Sequence, residues 1–316
     1  MFSPEGYQAI RTGAGVVRRG DRGVLAVSGP DRLTWLQGLL TNDVAALPVG
    51  GVCDAAYLTP QGRMVTDLRV LHLTDRTLLD VPGSLAASLR AKLDALLFAE
   101  DAHVADVTDT HTMIDVHGPA ATLMVSEMSE PQRSFIKAIA TDAAYGVAGF
   151  SLFVAPDDVN VVIAQFVERG AVETSLETLD VVRVEAGRPA FLIDMDEHTL
   201  PLEAGIENRA ISFTKGCYVG QEVIVRVMHR GHGRVARKLV GLTLAKGELP
   251  KAGAQILSGS REIGKLTSVV WSPTLETGIA LGYVHRDFTE AGARVAIAGD
   301  LGRLDATVTS LPFLSV

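Results

Sequence analysis

Lys215-Gly216-Cys217-Tyr218-Val219-Gly220-Gln221-Glu222 sets a thiol between two glycines, with a cation two residues before it and a carboxylate five residues after it. Glycine lets the backbone approach a ligand closely and adopt conformations closed to other residues. A nearby ammonium favours the thiolate, the reactive form of cysteine. A tight turn around a structural cysteine accounts for the same residues, and chemistry alone does not separate the two readings.

The only other cysteine is Cys53. Two cysteines cannot build a disulfide framework, nor supply the four thiolates that an iron–sulfur cluster usually takes from one chain. Low cysteine use fits a reducing compartment. The 316 residues predict two or three domains. With 47% hydrophobic but only 5% aromatic residues, the cores are expected to be mainly Leu, Val and Ala. A formal charge of −8 argues against broad, sequence-independent nucleic-acid binding. Residues 1–7 lack a basic segment followed by an apolar one. The longest uncharged run, residues 143–156, contains two glycines and is too short to span a bilayer. A soluble, cytoplasmic protein without a membrane partner is therefore expected.

Residues 24–28 read as a strand, followed by Gly29-Pro30 and a helix through about Leu40, with Pro30 in its first turn. Leu33, Leu36 and Leu40 share one helical face. The pattern recurs: a strand over 113–116, then Gly118-Pro119, then a helix to about Met128. The shared Val-x-Gly-Pro suggests two related strand–helix halves. Between them, residues 52–59 and 64–73 read as a hairpin around Pro60-Gln61-Gly62-Arg63. Residues 77–81 read as a strand, and Leu85, Leu89, Leu93 and Leu96 mark a helix. Residues 150–155 read as a strand and 157–168 as a helix. Thr174-Ser175-Leu176-Glu177 reads as a capping box. It starts a helix that ends at Gly187 and carries Arg183 and Glu185 in its last turn. From Arg237 onward, short strand-like runs at 238–244, 263–271, 278–284, 293–298 and 304–311 suggest a small antiparallel barrel.

KGCYVGQE resembles the hallmark of the YgfZ family of folate-binding proteins, relatives of the aminomethyltransferase (T-protein) of the glycine cleavage system. Asp31-Arg32-Leu33-Thr34-Trp35-Leu36-Gln37-Gly38-Leu39-Leu40-Thr41-Asn42-Asp43-Val44 resembles the family's N-terminal segment. Leu58-Thr59-Pro60-Gln61-Gly62-Arg63, followed by Asp67, is similar to its hairpin. Arg183-Val184-Glu185-Ala186-Gly187-Arg188-Pro189, followed by Asp194, is similar to its "R-x-E-x-G-x-P…D" block. The Asp31–Val44 and Arg183–Asp194 blocks are shared with T-proteins, while KGCYVGQE is particular to the YgfZ family. The resemblance implies an α+β fold: two linked α/β halves around a central opening, plus a C-terminal antiparallel β-barrel. The boundaries expected are 1–111, 112–236 and 237–316.

The resemblance also implies tetrahydrofolate or a derivative as ligand. The carboxylate of Glu185 is expected to accept both donors on the edge of a pterin ring. The alternative is a helix-end Glu paired with Arg183 or Arg188. Arg183, Asp194, Lys215, Gly216, Tyr218, Gly220, Gln221, Glu222 and Asn42 complete the expected binding set, with Cys217 as the chemically active residue. Of the acidic window Asp194, Asp196, Glu197, Glu203 and Glu207, only Asp194 matches the family block. Arg226, His229, Arg230, His232, Arg234, Arg237 and Lys238 form a basic run that reads as a solvated linker or as an anion site. Two histidines three apart, without a third ligand, give no metal site.

T-proteins carry a key Asp in a "K-D-L-x-W" helix after a "V-V-N" strand. Here residues 81–90 contain neither that Asn nor that Asp, and Leu89 falls near the Asp position, with Asp94 the nearest Asp downstream. The T-protein "F-I-G-R" element is replaced by Tyr218-Val219-Gly220-Gln221. The function expected is a folate-binding accessory protein for iron–sulfur cluster assembly or repair, its partners being client enzymes, tRNA-modifying ones included, or assembly proteins. The alternatives are a tetrahydrofolate-dependent one-carbon transferase and a non-enzymatic interaction module.

Overall fold

A computed structural model of the chain describes residues 1–142, 145–229, 233–299 and 302–314. It divides into two compact units: Met1–Thr59, Val65–Leu179 and Asn208–Val219 form one, and Pro60–Met64, Asp180–Glu207 and Gly220–Val316 form the other.

The strands are β1 (Gly15–Arg19), β2 (Arg22–Ser28), β3 (Val52–Leu58), β4 (Met64–His72), β5 (Arg76–Pro82), β6 (His103–Asp106), β7 (Thr112–His117), β8 (Ile136–Thr141), β9 (Gly149–Val154), β10 (Val172–Thr174), β11 (Arg237–Leu244), β12 (Gln255–Ser258), β13 (Arg261–Ser272), β14 (Thr277–His285), β15 (Arg294–Gly299) and β16 (Gly302–Thr309).

The first unit contains two five-stranded sheets, ordered β3-β4-β5-β2-β6 and β10-β1-β7-β9-β8. The buried run in β2 follows from its position. Leu25 and Val27 point into a core with Leu36, Leu40, Leu89 and Leu93, whereas Val24 and Ala26 pack on Met113, Ala138 and Phe153 of the other sheet. Successive strand residues face opposite sides, so a strand covered on both sides is apolar at every position. The repeated Gly-Pro corners are backbone devices. Gly29 and Gly118 have φ of +99° and +131°, and a Cβ would lie 2.2 Å from the Asp101 carbonyl oxygen and 2.4 Å from that of Gly13 respectively. Only glycine fits there.

The second unit contains a closed antiparallel barrel, β11-β14-β13-β12-β15-β16. Val240, Leu242, Ile256, Leu266, Ala280, Val284 and Ile297 belong to its core. Val184 of the helix Leu176–Glu185 packs with Leu239, Ile279, Leu281 and Tyr283 of the barrel.

Several expectations shift. The helix after β2 is Arg32–Leu39 with Asp31 at its N-cap, so Pro30 lies in the preceding turn. The cap of the helix Leu176–Glu185 is Ser175, whose Oγ accepts from the Thr178 amide at 3.2 Å, one residue later than the Thr174 box predicted. The barrel closes through a sixth strand, β12, only four residues long and too short to read as a strand from its sequence. The N-terminal β1 belongs to the second sheet, antiparallel to β7 and parallel to β10.

Candidate functional site

In the first unit, the Lys215 ammonium donates to the carbonyl oxygens of Gln37, Leu40 and Asn42 at 2.6, 2.7 and 2.8 Å. Gln37 and Leu40 close the helix Arg32–Leu39, whose last carbonyls have no partner within the helix. A cation at that end also meets the negative pole of the helix dipole. The lysine that opens the octapeptide thus caps the helix of the "LQGLLTNDV" segment, joining two sequence blocks that lie far apart in the chain. The Tyr218 ring, 7% exposed, lies 5.3 Å from the same ammonium. Burial pushes the Lys215 ammonium down to about 8, against the pull of Asp43 and Cys53.

Asn42 is committed in the same way. Its Nδ2 donates to the carbonyl oxygens of Asp54 and Arg209 at 2.7 and 3.0 Å, and its Oδ1 accepts from the Asp43 amide. Arg209 returns an ion pair to Asp54 at 2.9 Å. Lys215 and Asn42, expected at a ligand, therefore hold the loop, since their donors are spent on backbone carbonyls. On that loop Gly216 and Cys217 are exposed. Cys53 differs: burial, then Asp54, pushes its thiol up to about 12.

In the second unit, Gly220 has φ +83°, and the helix Gln221–His229 begins just after it. Gln221 is half-buried, and Glu222 is exposed in the first turn, where a carboxylate suits the dipole. The basic run is not one linker: Arg226 and His229 lie on this helix, while Arg237 and Lys238 open β11. Arg230 and His232 lie outside the described residues.

The block around Arg183 forms a buried network. Arg183 Nη1 donates to Asp194 Oδ2 at 2.6 Å, Nη2 to Ser268 Oγ at 2.8 Å, and Nε to Asp180 at 2.7 Å. Asp194 Oδ2 also accepts from the Ala190 amide at 3.0 Å, and its Oδ1 accepts from the Thr267 and Ser268 hydroxyls at 2.5 and 2.7 Å. A bulge between Leu266 and Ser268 turns these consecutive hydroxyls onto one carboxylate oxygen. Burial alone would lower the Arg183 guanidinium, but Asp194 and Asp180 raise it. Both residues are structural ties between the loop after the helix and the barrel.

Glu185 is 0% exposed, and its Oε1 accepts from Ser272 Oγ at 2.5 Å. Its carbonyl accepts from the Phe313 amide at 2.9 Å. Its place in this structure is the seam between helix and barrel. Asp196 and Glu203 are engaged by Thr199 and Arg237.

Asp115, His117 and Asp142 of the first unit bring ligand-type atoms within 4.8 Å of one another, all buried. Arg19 meets Asp115 at 2.5 Å and Arg69 meets Asp142 at 3.0 Å, so guanidinium groups already balance the carboxylates. Burial would raise Asp115, but Arg19, His117 and Arg69 hold it well below the ordinary carboxylate range. The alternation in Met113-Ile114-Asp115-Val116-His117 is the sequence signal that places Asp115 and His117 on one face. Leu89 is 2% exposed in the core. No helix among the described residues is long and apolar enough to cross a membrane.

Residues 3–215 match the GCVT N-terminal domain, and residues 237–314 match the glycine cleavage T-protein C-terminal barrel domain. The "Aminomethyltransferase" of Streptomyces avermitilis is 30% identical over 97% of this chain and 88% of its own length. That of Halothermothrix orenii is 27% identical over 98% and 91%. Among solved structures, the glycine cleavage system aminomethyltransferase T from Bartonella henselae aligns with a TM-score of 0.89 and 20% identity, covering 100% of this chain and 91% of that one.

Proposed function

The chain belongs to the glycine cleavage T-protein family, and from that premise we propose that it is a folate-binding accessory protein supporting iron–sulfur cluster assembly or repair in client enzymes, tRNA-modifying ones among them. One observation carries this. Lys215 fixes the loop by three hydrogen bonds, yet Cys217, two residues on, is left exposed. A pinned backbone with an accessible thiol suits a group presented to a partner. The ligand is tetrahydrofolate or a derivative, met by Gly216, Tyr218, Gly220, Gln221 and Glu222. Asn42 and Lys215 hold the loop of the first unit, Arg183 and Asp194 hold the second unit's loop to the barrel, and Glu185 accepts the donors on the pterin edge. Leu89, a core residue near the place where T-proteins carry their key Asp, weighs against aminomethyl transfer.

Anaerobic calorimetric titration of tetrahydrofolate tests the ligand. Saturable binding by the wild type, weakened in Gln221→Ala, is expected; no binding discards every folate-based reading. Cys217→Ala is expected to bind folate yet fail to restore an iron–sulfur enzyme in cells lacking this chain. Full restoration would end the role assigned to the thiol.

A second reading is a tetrahydrofolate-dependent one-carbon transferase acting on an unknown amine. It is favoured by near-full-length relatives named aminomethyltransferase.

A further inference from the structure

Asp67 on β4 is a carboxylate that the surrounding ion pairs pass by. Its Oδ1 is closed off from solvent and has no hydrogen-bond partner among the described residues. Four charged groups act on it from other elements: Arg22 of β2, Asp54 of β3, Asp80 of β5 and Arg209 of the helix Glu207–Ala210. Both guanidinium groups are already committed. Arg22 Nε donates to Asp80 Oδ1 at 2.6 Å and its Nη2 to the Asp80 carbonyl at 3.1 Å. Arg209 Nη1 donates to Asp54 Oδ2 at 2.9 Å. On β4 itself, Arg69 is shared between Asp80 and Asp142, at 3.0 Å from each. Among the described residues, Asp67 thus stands beside paired guanidinium groups and belongs to no pair.

A buried polar atom without a partner asks for a reason. Burial raises the Asp67 carboxyl above its ordinary 3.8; Arg22 and Arg209 pull it down, and Asp54 and Asp80 push it up again. Asp115 of the same unit is the contrast. Burial acts on it too, but Arg19 meets it at 2.5 Å, and it is held well below the ordinary carboxylate range. Two buried carboxylates driven in opposite directions in one interior mark two different roles.

The proton on Asp67 matters because of what Arg209 holds. Asn42 Nδ2 donates to the carbonyl oxygens of Asp54 and Arg209, so the ion pair between those two residues closes a knot around Asn42. The next residues are fastened to the same segment: Thr41 Oγ1 donates to the Ala210 carbonyl at 2.5 Å, and the Ser212 amide donates to the Thr41 carbonyl at 3.0 Å. Cys217 follows five residues later. While Asp67 is protonated, Arg209 has one carboxylate to serve. Once Asp67 ionises, two carboxylates compete for one guanidinium, and a charge-assisted bond is stronger than a neutral one.

We infer that Asp67 is a positioning residue for the loop that carries Cys217: protonated, it leaves Arg209 to Asp54 and the loop is tied; ionised, it draws Arg209 away and the loop is released. The device belongs to the first unit alone. It stands whatever chemistry the thiol performs and whether or not folate binds.

The experiment compares the wild type, Asp67→Asn and Arg209→Gln between pH 4 and 7, below the range in which Lys215, at about 8, gives up its ammonium. Asparagine keeps the size of the side chain and cannot ionise, so Asp67→Asn stands for the tied form. The first readout is the urea midpoint. The folded chain holds a proton on Asp67 that the unfolded chain loses above 3.8, so wild-type stability should fall relative to Asp67→Asn as pH rises. The second readout is hydrogen exchange over residues 209–219, corrected for the intrinsic rate at each pH. Protection should fall at least tenfold in the wild type and stay level in Asp67→Asn. In Arg209→Gln the tie is absent, so protection should already be low at pH 4 and should not follow pH. A wild type and Asp67→Asn that keep the same stability difference at every pH would overturn the inference. So would loop protection that changes alike in both, or that still follows pH in Arg209→Gln. A stability difference that widens while wild-type loop protection stays level would leave Asp67 a strained carboxyl with no hold on the loop, and would refute the positioning role.

Discussion

Arg183 and Asp194, eleven residues apart in sequence, meet at 2.6 Å with both side chains withdrawn from solvent. Removing one partner of a buried pair strands the other charge. Asp194→Ala should therefore destabilise the protein by about 3–5 kcal/mol, read by urea denaturation. Arg183→Met should be milder than Asp194→Ala, because Asp194 keeps the Ala190 amide and two hydroxyls. Equal losses would show that the pair is not organised around the carboxylate.

Lys215→Met keeps the length of the side chain and removes the clamp. Three carbonyls at the end of the helix Arg32–Leu39 then lose a charged donor. A loss of about 2 kcal/mol is expected after partial rescue by water. Hydrogen exchange should rise across residues 37–44 and 209–219. Unchanged protection there would mean that the helix end is held by other contacts.

The two thiols should separate by reactivity and by pH. At pH 8, iodoacetamide should label exposed Cys217 and spare Cys53, as read by peptide mass spectrometry. The folded Cys53 thiol, raised from an ordinary 9.0 to about 12, keeps its proton where the unfolded chain loses it. Its contribution is present below pH 9 and is lost as pH rises toward 12. Lys215 is shifted the other way and interacts with Cys53, so the test is the difference between Lys215→Met and Lys215→Met with Cys53→Ala, in which the lysine is absent from both. A difference that stays flat across that window would refute the assignment.

Leu89→Asp puts a carboxylate near the position where T-proteins carry theirs. The site is 2% exposed and lined by apolar side chains. The variant should lose at least about 4 kcal/mol and gain no aminomethyl transfer. Measurable transfer by a folded variant would favour the second functional reading.

Much of this architecture could be read from residue patterns. The hairpin around Pro60–Arg63 and the runs that became β2, β5, β9 and β14 carry local signals: apolar runs with Gly or Pro at one end. The strands that escaped notice, β1, β6, β8, β10 and β12, are six residues or fewer, and some are charged; they are strands because neighbours supply their partners. The site divides in the same manner. Lys215, Asn42, Arg183 and Asp194 stand out through the family resemblance of their sequence blocks, but that resemblance is silent on whether a polar side chain faces a ligand or its own backbone. In each of these four it faces the protein. Asp67 closes the hairpin block, yet nothing in that block tells that it lacks a partner. That follows only from the packing of Arg22 and Arg209 against other carboxylates.

The place of β1 bears on how the chain is made. Gly15–Arg19 is synthesised well before its partners, residues 113–117 and 172–174. The sheet built from β2 to β6 can close while those partners are still missing. For that interval β1 is a strand with both edges bare, a ready target for chaperones or for a second nascent copy. Deleting residues 1–20 would remove the strand that joins β10 to the rest of its sheet, and with it the tie that returns residues 172–174 to the body of the protein.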